Sequence, residues 1–112
     1  MENLKIEFIK SSPNDKEDII HINQKKAIIT GKFSILKYID KETKQVVIYL
    51  PGLEISGYGE TVEKAKEVLS FNIEELFTYI IELPRKKLKA YLEAAGWDSN
   101  FFNKEFSKAF VD

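Results

Sequence analysis

The stretch that decides the fold runs Val47-Ile48-Tyr49-Leu50-Pro51-Gly52-Leu53-Glu54-Ile55-Ser56-Gly57-Tyr58-Gly59-Glu60-Thr61-Val62-Glu63-Lys64-Ala65. Its first apolar residues predict a short strand, Pro51-Gly52 predicts a turn, and residues 53–58 predict a second strand. Thr61 is a residue type that caps helix N-termini, and Glu63 lies where a carboxylate favours the positive end of the helix dipole. We therefore predict two strands joined by a turn and followed directly by a helix.

A long amphipathic helix is predicted over residues 62–82. Its apolar residues recur at three- and four-residue steps and form one stripe that the fold can bury, namely Ala65, Leu69, Ile73, Leu76, Phe77 and Ile80. Leu83-Pro84 ends this helix and begins a second one, because proline suits the first helical position. The second helix also carries a one-sided apolar stripe, and Gly96 is a natural C-terminal cap for it.

The rest of the chain predicts further strands. Alternating or continuous apolar patterns mark residues 1–10, 19–22, 27–40 and 45–50. Within the longest of these segments, Gly31 indicates a bulge or a close approach of another group to the backbone. The aromatic residues at 101–111 predict a final strand, and residues 97–100 are expected to form a connection to it.

From residue 27 onward, the predicted order is strand, strand, strand, helix, helix, strand. This order describes an α+β fold in which an antiparallel sheet of three to four strands carries the helices on one face. We expect a single domain over residues 1–112. In it, residues 1–25 form an N-terminal extension with room for an extra strand, residues 27–82 form the meander and its helix, and residues 84–112 add a helix and a closing strand.

Composition excludes several classes of protein. The chain has 112 residues, 44% of them hydrophobic and 31% charged, which is ordinary for a globular domain. A net charge of −1 argues against direct DNA binding. The absence of cysteine excludes disulfides and thiolate chemistry. Since there is neither a secretory signal nor an apolar run of about 20 residues, we expect a cytoplasmic protein without a membrane segment.

The sequence contains no motif for catalysis or for a cofactor. His21 is the single histidine, whereas a metal site needs several ligands. Glycines precede the helix that begins near Thr61, but the Gly-Lys-Ser/Thr of a phosphate loop is missing, and turns and caps account for these glycines. We therefore predict a non-catalytic protein with no metal and no cofactor. An active site built from carboxylates alone is the remaining enzymatic alternative.

Charge is segregated between the two predicted helices. Residues 60–82 hold six acidic and two basic residues, whereas residues 84–91 hold four basic and no acidic residues. Such patches can dock a charged partner or a second copy of the chain, and they can equally well complement each other within the fold. The candidate partner-binding residues are Glu63, Glu67, Glu74, Arg85, Lys86 and Lys89.

Residues 33–82 resemble the HicB-like antitoxin domain. That family shows a strand ending in aromatic-x-Pro, a glycine-rich strand, and a helix entry of the form Gly-Asp/Glu-Thr-x-x-Glu-Ala. The matching positions here are Tyr49-Leu50-Pro51, Leu53, Ser56-Gly57, Glu60-Thr61-Val62-Glu63-Lys64-Ala65 and Leu69. Lys64 occupies the place where the family often has Glu.

The resemblance implies a three-stranded meander, one helix across it and a closing strand. It also implies a protein-binding role, as an antitoxin or antitoxin-derived regulator that masks a small basic RNA-cleaving toxin. An acidic helix would speed association with such a partner. The alternative is a self-associating structural or regulatory module with no toxin partner, in which the final aromatic strand joins a sheet in a homodimer.

Overall fold

The computed structural model describes residues 5–10, 17–100 and 105–109, and for residues 5–10 and 100 it describes the backbone alone. Within these residues the chain forms eight strands and two helices. In chain order they are β1 (Lys5–Lys10), β2 (Glu17–Asn23), β3 (Ile28–Phe33), β4 (Leu36–Ile39), β5 (Val46–Leu50), β6 (Ile55–Gly59), α1 (Val62–Ile81), α2 (Arg85–Ala94), β7 (Asp98–Asn100) and β8 (Glu105–Ala109).

The described strands form two sheets. The larger has the order β1-β3-β2-β8-β7 and the smaller the order β4-β5-β6. Neighbouring strands pair antiparallel throughout, except that β1 and β3 run parallel. The α+β class is confirmed, whereas the prediction of one sheet of three to four strands is corrected to two sheets. Residues 17–23, expected to belong to an N-terminal extension, supply the central strand of the larger sheet.

The strand predicted over residues 27–40 is divided between the two sheets. β3 ends at Phe33, and the backbone N–H of Ser34 donates to Asp18 Oδ1 at 2.9 Å. A backbone N–H that donates to a side chain cannot continue the ladder of the sheet. The chain therefore leaves the larger sheet at this point and begins the smaller one at Leu36.

The C-terminal strand lies inside the larger sheet. Of residues 101–111, predicted to form a strand, those that the structure describes are β8, which pairs with β2 on one side and β7 on the other. β7 itself falls in the segment predicted as a connection. The expectation of a closing strand is thereby corrected, because β8 does not close the meander of β4, β5 and β6, and residues 105–107 of β8 are paired on both sides.

α1 begins as predicted and packs against β5 and β6. Thr61 Oγ1 accepts a hydrogen bond from the backbone N–H of Lys64 at 3.1 Å, so Thr61 is the N-cap. The helix lies so close to β6 that a Cβ on Gly57 would collide with backbone atoms of Ala65 and Leu69. Its buried residues are Ala65, Leu69, Ile73, Phe77, Ile80 and Ile81.

α2 ends in the glycine cap that the sequence predicts. Gly96 has φ +94°, and the N–H groups of Gly96 and Trp97 donate to the carbonyl oxygens of Glu93 and Leu92 at 3.0 and 2.9 Å. This pair of hydrogen bonds is the Schellman motif. It turns the chain so that the Trp97 side chain, 2% exposed, enters the core.

Both sheets and both helices share one hydrophobic core. Phe33 is fully buried in it, and its ring centroid lies 6.4 Å from those of both Phe77 and Trp97. Because Phe33 belongs to β3, Phe77 to α1 and Trp97 to the segment after α2, this aromatic cluster joins the separate parts of the fold. In the described part of the chain, neither helix has the length and apolar character needed to cross a membrane.

Candidate functional site

The solvent-facing side of α1 combines aromatic rings with carboxylates. A shallow cavity of about 480 Å³ is lined there by Phe71, Glu74, Glu75, Thr78, Tyr79 and Glu82, which we call the acidic aromatic surface. The side chains of Phe71 and Tyr79 are 60% and 55% exposed. Three of the six residues are carboxylates and none is a cation, so the surface is both apolar and negatively charged.

Helical spacing places these residues on one side of α1. Phe71, Glu75 and Tyr79 recur every four residues, so they follow one another along the helix. The core-facing residues Ile73 and Phe77 lie between them in sequence and point to the opposite side. The side chains of Phe71 and Tyr79 therefore lie outside the apolar stripe that α1 buries in the core.

An aromatic contact extends this surface onto α2. The rings of Tyr79 and Tyr91 are 5.8 Å apart between centroids and meet edge to face. Tyr91 is itself 40% exposed. Edge-to-face contacts of this kind stabilise the orientation of both rings. The Tyr79 ring is thus held in place before any partner binds, which lowers the entropy that binding must remove.

The acidic candidate residues divide between two parts of α1. Glu74 lies in the acidic aromatic surface. Glu63 and Glu67 are exposed nearer the N-terminus of the helix, and Glu67 Oε2 lies 3.4 Å from Lys64 Nζ with both side chains about 70% exposed. Exposed pairs of this kind contribute little to stability. In the absence of a partner, the carboxylates of Glu63 and Glu67 are therefore solvated.

The basic candidate residues lie on α2, and in the described part of the chain its lysines form no direct ion pair with the carboxylates of α1. Arg85 and Lys86 are exposed and Lys89 is half-buried. Within the described residues, Lys86, Lys87 and Lys89 form no ion pair. The interpretation that the two patches complement each other inside the fold thus receives no support from contacts of these three lysines.

Arg85 lies beside cations that are distant from it in sequence. It contributes to a cavity of about 390 Å³ lined by Ile22, Asn23, Gln24, Lys25, Lys26, Arg85 and Leu88. Lys25 and Lys26 belong to the turn between β2 and β3. Its described lining residues include three basic residues and no carboxylate, so this part of the cavity has the opposite charge to the acidic aromatic surface.

The Gln24 side chain fixes the turn that carries these lysines. Its Nε2 donates to the carbonyl oxygens of Ile81 and Leu83 at 3.1 and 2.7 Å, at the end of α1. Gln24 and Leu83 are 59 residues apart in sequence. No local pattern relates residues at that separation, which is why the sequence analysis did not place Lys25 and Lys26 next to Arg85.

The described residues contain no group of three or more His, Asp or Glu side chains arranged to hold a metal ion. His21 lies on β2 with its side chain exposed. The acidic aromatic surface has three carboxylates on one exposed helix face, which is the usual place for solvated charges. Its distinguishing feature is the presence of exposed aromatic rings among them.

The sequence predicts Glu74 as a partner-binding residue but does not indicate that Phe71, Tyr79 and Glu82 belong to the same surface. The information was present, because Phe71 and Tyr79 are large apolar residues that fall outside the predicted buried stripe. Large apolar side chains that a helix leaves outside its core stripe are candidates for an interface.

Comparison of this chain with family models, with curated proteins and with solved structures found no match. The HicB-like resemblance therefore rests on the matching residues alone.

Proposed function

We propose that this chain is a non-catalytic protein-binding domain that receives a basic protein segment on its acidic aromatic surface. The observation that carries the proposal is the exposure of Phe71 and Tyr79, 60% and 55%, among the carboxylates of Glu74, Glu75 and Glu82. Exposed aromatic rings that contribute nothing to the core are typical of interfaces, where aromatic residues are enriched. The surrounding carboxylates favour a partner of positive charge.

Arginine is the partner residue that suits this surface best. A guanidinium group can stack on an aromatic face while its N–H groups donate to a neighbouring carboxylate. Phe71 and Tyr79 are eight residues apart, which corresponds to about 12 Å along a helix axis. The surface thus offers two aromatic positions, each next to a carboxylate, to a segment with basic residues about two helical turns apart.

The HicB-like resemblance suggests a biological role for this binding. In that role the chain is an antitoxin, or a regulator derived from one, and the basic partner is a small RNA-cleaving toxin. The meander of β4, β5 and β6 with α1 across it supports the proposal, because this is the arrangement that the resemblance implies for residues 33–82. Negative charge on α1 would also suit a protein that competes with RNA for a basic surface.

The test is binding to the product of any small reading frame adjacent to this gene, measured by isothermal titration with both proteins purified. Charge reversal by Glu74→Lys/Glu75→Lys is expected to weaken binding at least about tenfold, since it removes two partners and adds repulsion. Glu63→Lys/Glu67→Lys is the matched control with the same change in net charge. It is expected to have a smaller effect, because these residues lie outside the acidic aromatic surface.

The antitoxin role is tested by measuring whether this chain inhibits the cleavage of RNA that the same partner catalyses. An excess of the wild-type chain is expected to suppress cleavage, and Phe71→Ala/Tyr79→Ala is expected to relieve that suppression. Equal weakening by the two charge reversals would contradict the site, because it would indicate only long-range attraction. Absence of any complex with the neighbouring product would contradict the antitoxin role.

One observation favours the alternative of a self-associating module. The smaller sheet exposes apolar side chains on the side away from α1, where Tyr38, Val47 and Tyr58 form a cross-strand row. Tyr38 and Tyr58 are 54% and 55% exposed. Sedimentation velocity distinguishes the two candidates, because self-association through this face predicts a sedimentation coefficient that rises with concentration and a monomer for Tyr38→Lys/Tyr58→Lys.

A further inference from the structure

α1 leaves one strand of the smaller sheet largely uncovered. The helix packs mainly on β6 and to a lesser degree on β5. A helix is about 10 Å across and neighbouring strands are about 4.8 Å apart, so one helix covers about two strands. β4, the third strand, consequently lies beyond the helix, and all four of its side chains are exposed.

The uncovered strip belongs to the same face of the sheet as α1. Lys37 and Ile39 on β4 are cross-strand neighbours of Ile48 and Val46 on β5. Ile48 is only 2% exposed because α1 covers it, and cross-strand neighbours point to the same face. Ile39 nevertheless remains 65% exposed. This face is therefore covered over β5 and β6 and open over β4.

A groove of about 340 Å³ runs between β4 and α1. Its floor is aliphatic and consists of Ile48, Leu69 and Ile73, each of which is less than 10% exposed. Lys37 on β4 and Lys66 on α1 stand on its two sides, and among the residues that the structure describes no carboxylate lines it. We call this feature the lysine-rimmed groove.

We propose that the lysine-rimmed groove binds an amphipathic helix of a partner protein whose apolar stripe is flanked by acidic residues. A helix lying beside α1 at the usual interaxial distance of about 8–10 Å would lie over β4 and complete the layer that α1 begins. Its apolar residues at i, i+3, i+4 and i+7 contact the aliphatic floor and Ile39, as in other helix-in-groove complexes. Its carboxylates pair with Lys37 and Lys66.

The charge of the rim selects this occupant over a basic one. Both ionisable residues in the described lining are lysines, so a basic helix meets repulsion on each side of the groove. The acidic aromatic surface, on the solvent-facing side of the same helix, makes the opposite selection. The two surfaces of α1 thus discriminate between partners by sign of charge, and the groove proposal stands independently of the function proposed above.

The experiment uses a pair of synthetic helical peptides and the full-length chain. One fluorescein-labelled 15-residue peptide carries leucine at i, i+3, i+4 and i+7 with glutamate on both flanks, and the other has lysine in place of each glutamate. Because a basic peptide can also bind the acidic aromatic surface, both peptides are titrated against the chain carrying Phe71→Ala/Tyr79→Ala. In this background, fluorescence anisotropy is expected to show the acidic peptide binding at least about fivefold more tightly, from two ion pairs of ordinary strength. Lys37→Glu/Lys66→Glu is expected to invert this preference.

Two further variants keep the test falsifiable. Lys86→Glu/Lys87→Glu makes the same change of net charge on α2 and is expected to preserve the preference for the acidic peptide. Ser70→Trp places a bulky side chain at the edge of the groove from an exposed helix position, and it is expected to weaken the binding of the acidic peptide. Circular dichroism verifies that each variant retains its fold.

Three results would overturn the proposal. The first is a failure of the acidic peptide to bind at concentrations up to about 1 mM, the range of negligible affinity. The second is an unchanged preference in Lys37→Glu/Lys66→Glu. The third is self-association of the wild-type chain that Lys37→Glu/Lys66→Glu abolishes, because a second copy would then be the occupant. None of these results bears on the acidic aromatic surface, which is tested with a basic partner.

Discussion

Asp18 Oδ1 accepts the backbone N–H of Ser34 at 2.9 Å, and this hydrogen bond marks the point where the chain passes from the larger sheet to the smaller one. Asp18 is fully buried on the central strand of the larger sheet, and Ser34 is 6% exposed. This bond gives the buried N–H of Ser34, which lies just beyond the end of β3, a hydrogen-bond acceptor. Asp18 therefore determines where the long apolar segment divides between the sheets.

Replacing Asp18 by Ala is expected to lower the free energy of unfolding by about 1–3 kcal/mol, because a buried N–H loses its hydrogen-bond acceptor. Urea denaturation followed by circular dichroism measures this loss. Glu17→Ala, on the same strand but exposed, is the control and is expected to change stability by less than about 0.5 kcal/mol. Equal stability of the two variants would show that the hydrogen bond does not hold the junction.

Gly52→Ala is expected to destabilise the fold by about 1–3 kcal/mol, because a Cβ at this position would collide with the Asp18 carboxylate. The cost arises from a contact between β2 and the turn after β5, so it should depend on Asp18. In the Asp18→Ala background the same substitution is expected to cost less, and a double-mutant cycle measures the difference. Strict additivity would contradict this account.

Gly57→Ala is expected to cost at least about 2–3 kcal/mol, because the added methyl group meets backbone atoms of Ala65 and Leu69 that cannot move aside without shifting α1. Ser56→Ala, on the neighbouring residue of β6, is the comparison and is expected to cost less than about 0.5 kcal/mol. The midpoint of urea unfolding measures both. A tolerated Gly57→Ala would indicate that α1 can lie farther from β6.

These glycines illustrate what the sequence could predict. Turn and cap preferences are local, so Pro51-Gly52, Thr61 and Gly96 correctly indicated a turn, a helix start and a helix end. The reasons for glycine at 52 and 57 are contacts with Asp18 and with α1, and the turn residue with positive φ is Glu54. Local patterns thus predicted where the elements lie but not why these positions exclude a side chain.

No local sequence pattern indicates that the strands divide into two sheets. Residues 27–40 have the pattern of one strand, because their apolar residues continue past the end of β3. The group that ends β3 is the carboxyl of Asp18, which lies 16 residues before Ser34 in the sequence. β7 has only three residues, too few to show alternation. The pairing of β8 with β2 joins opposite ends of the chain. The meander and α1 were predictable because each is held by contacts between sequence neighbours.

The candidate site was predictable in part for the same reason. Spacing along one helix brings Phe71, Glu74 and Tyr79 together, and that spacing can be read from the sequence. The cavity beside Arg85 depends on the turn held by Gln24, and the lysine-rimmed groove depends on α1 covering two strands of three. Both the cavity and the groove arise from tertiary packing, and no sequence motif marks either of them.

Phe71→Ala is expected to change the free energy of unfolding by less than about 0.5 kcal/mol, because an exposed ring loses few contacts on truncation. Phe77→Ala, six residues further along the same helix and fully buried, is expected to cost about 3–5 kcal/mol. Thermal and urea unfolding compare the two. A large loss of stability in Phe71→Ala would assign this ring a structural role and weaken its assignment to an interface.

Lys108→Met is expected to lower stability by about 1–2 kcal/mol, since each carbonyl oxygen that loses a charged donor contributes to the loss. Lys108 Nζ donates to the carbonyl oxygens of Gly52 and Ala95 at 3.2 and 2.9 Å, which ties β8 to the smaller sheet and to the end of α2. Methionine keeps the aliphatic part of the side chain, so the change tests the ammonium group alone. Hydrogen exchange is expected to quicken at residues 52–54 and 95–97 in this variant while that of β2 and β3 is unchanged. Uniform acceleration throughout the chain would instead mean that Lys108 supports global stability without holding these two segments in particular.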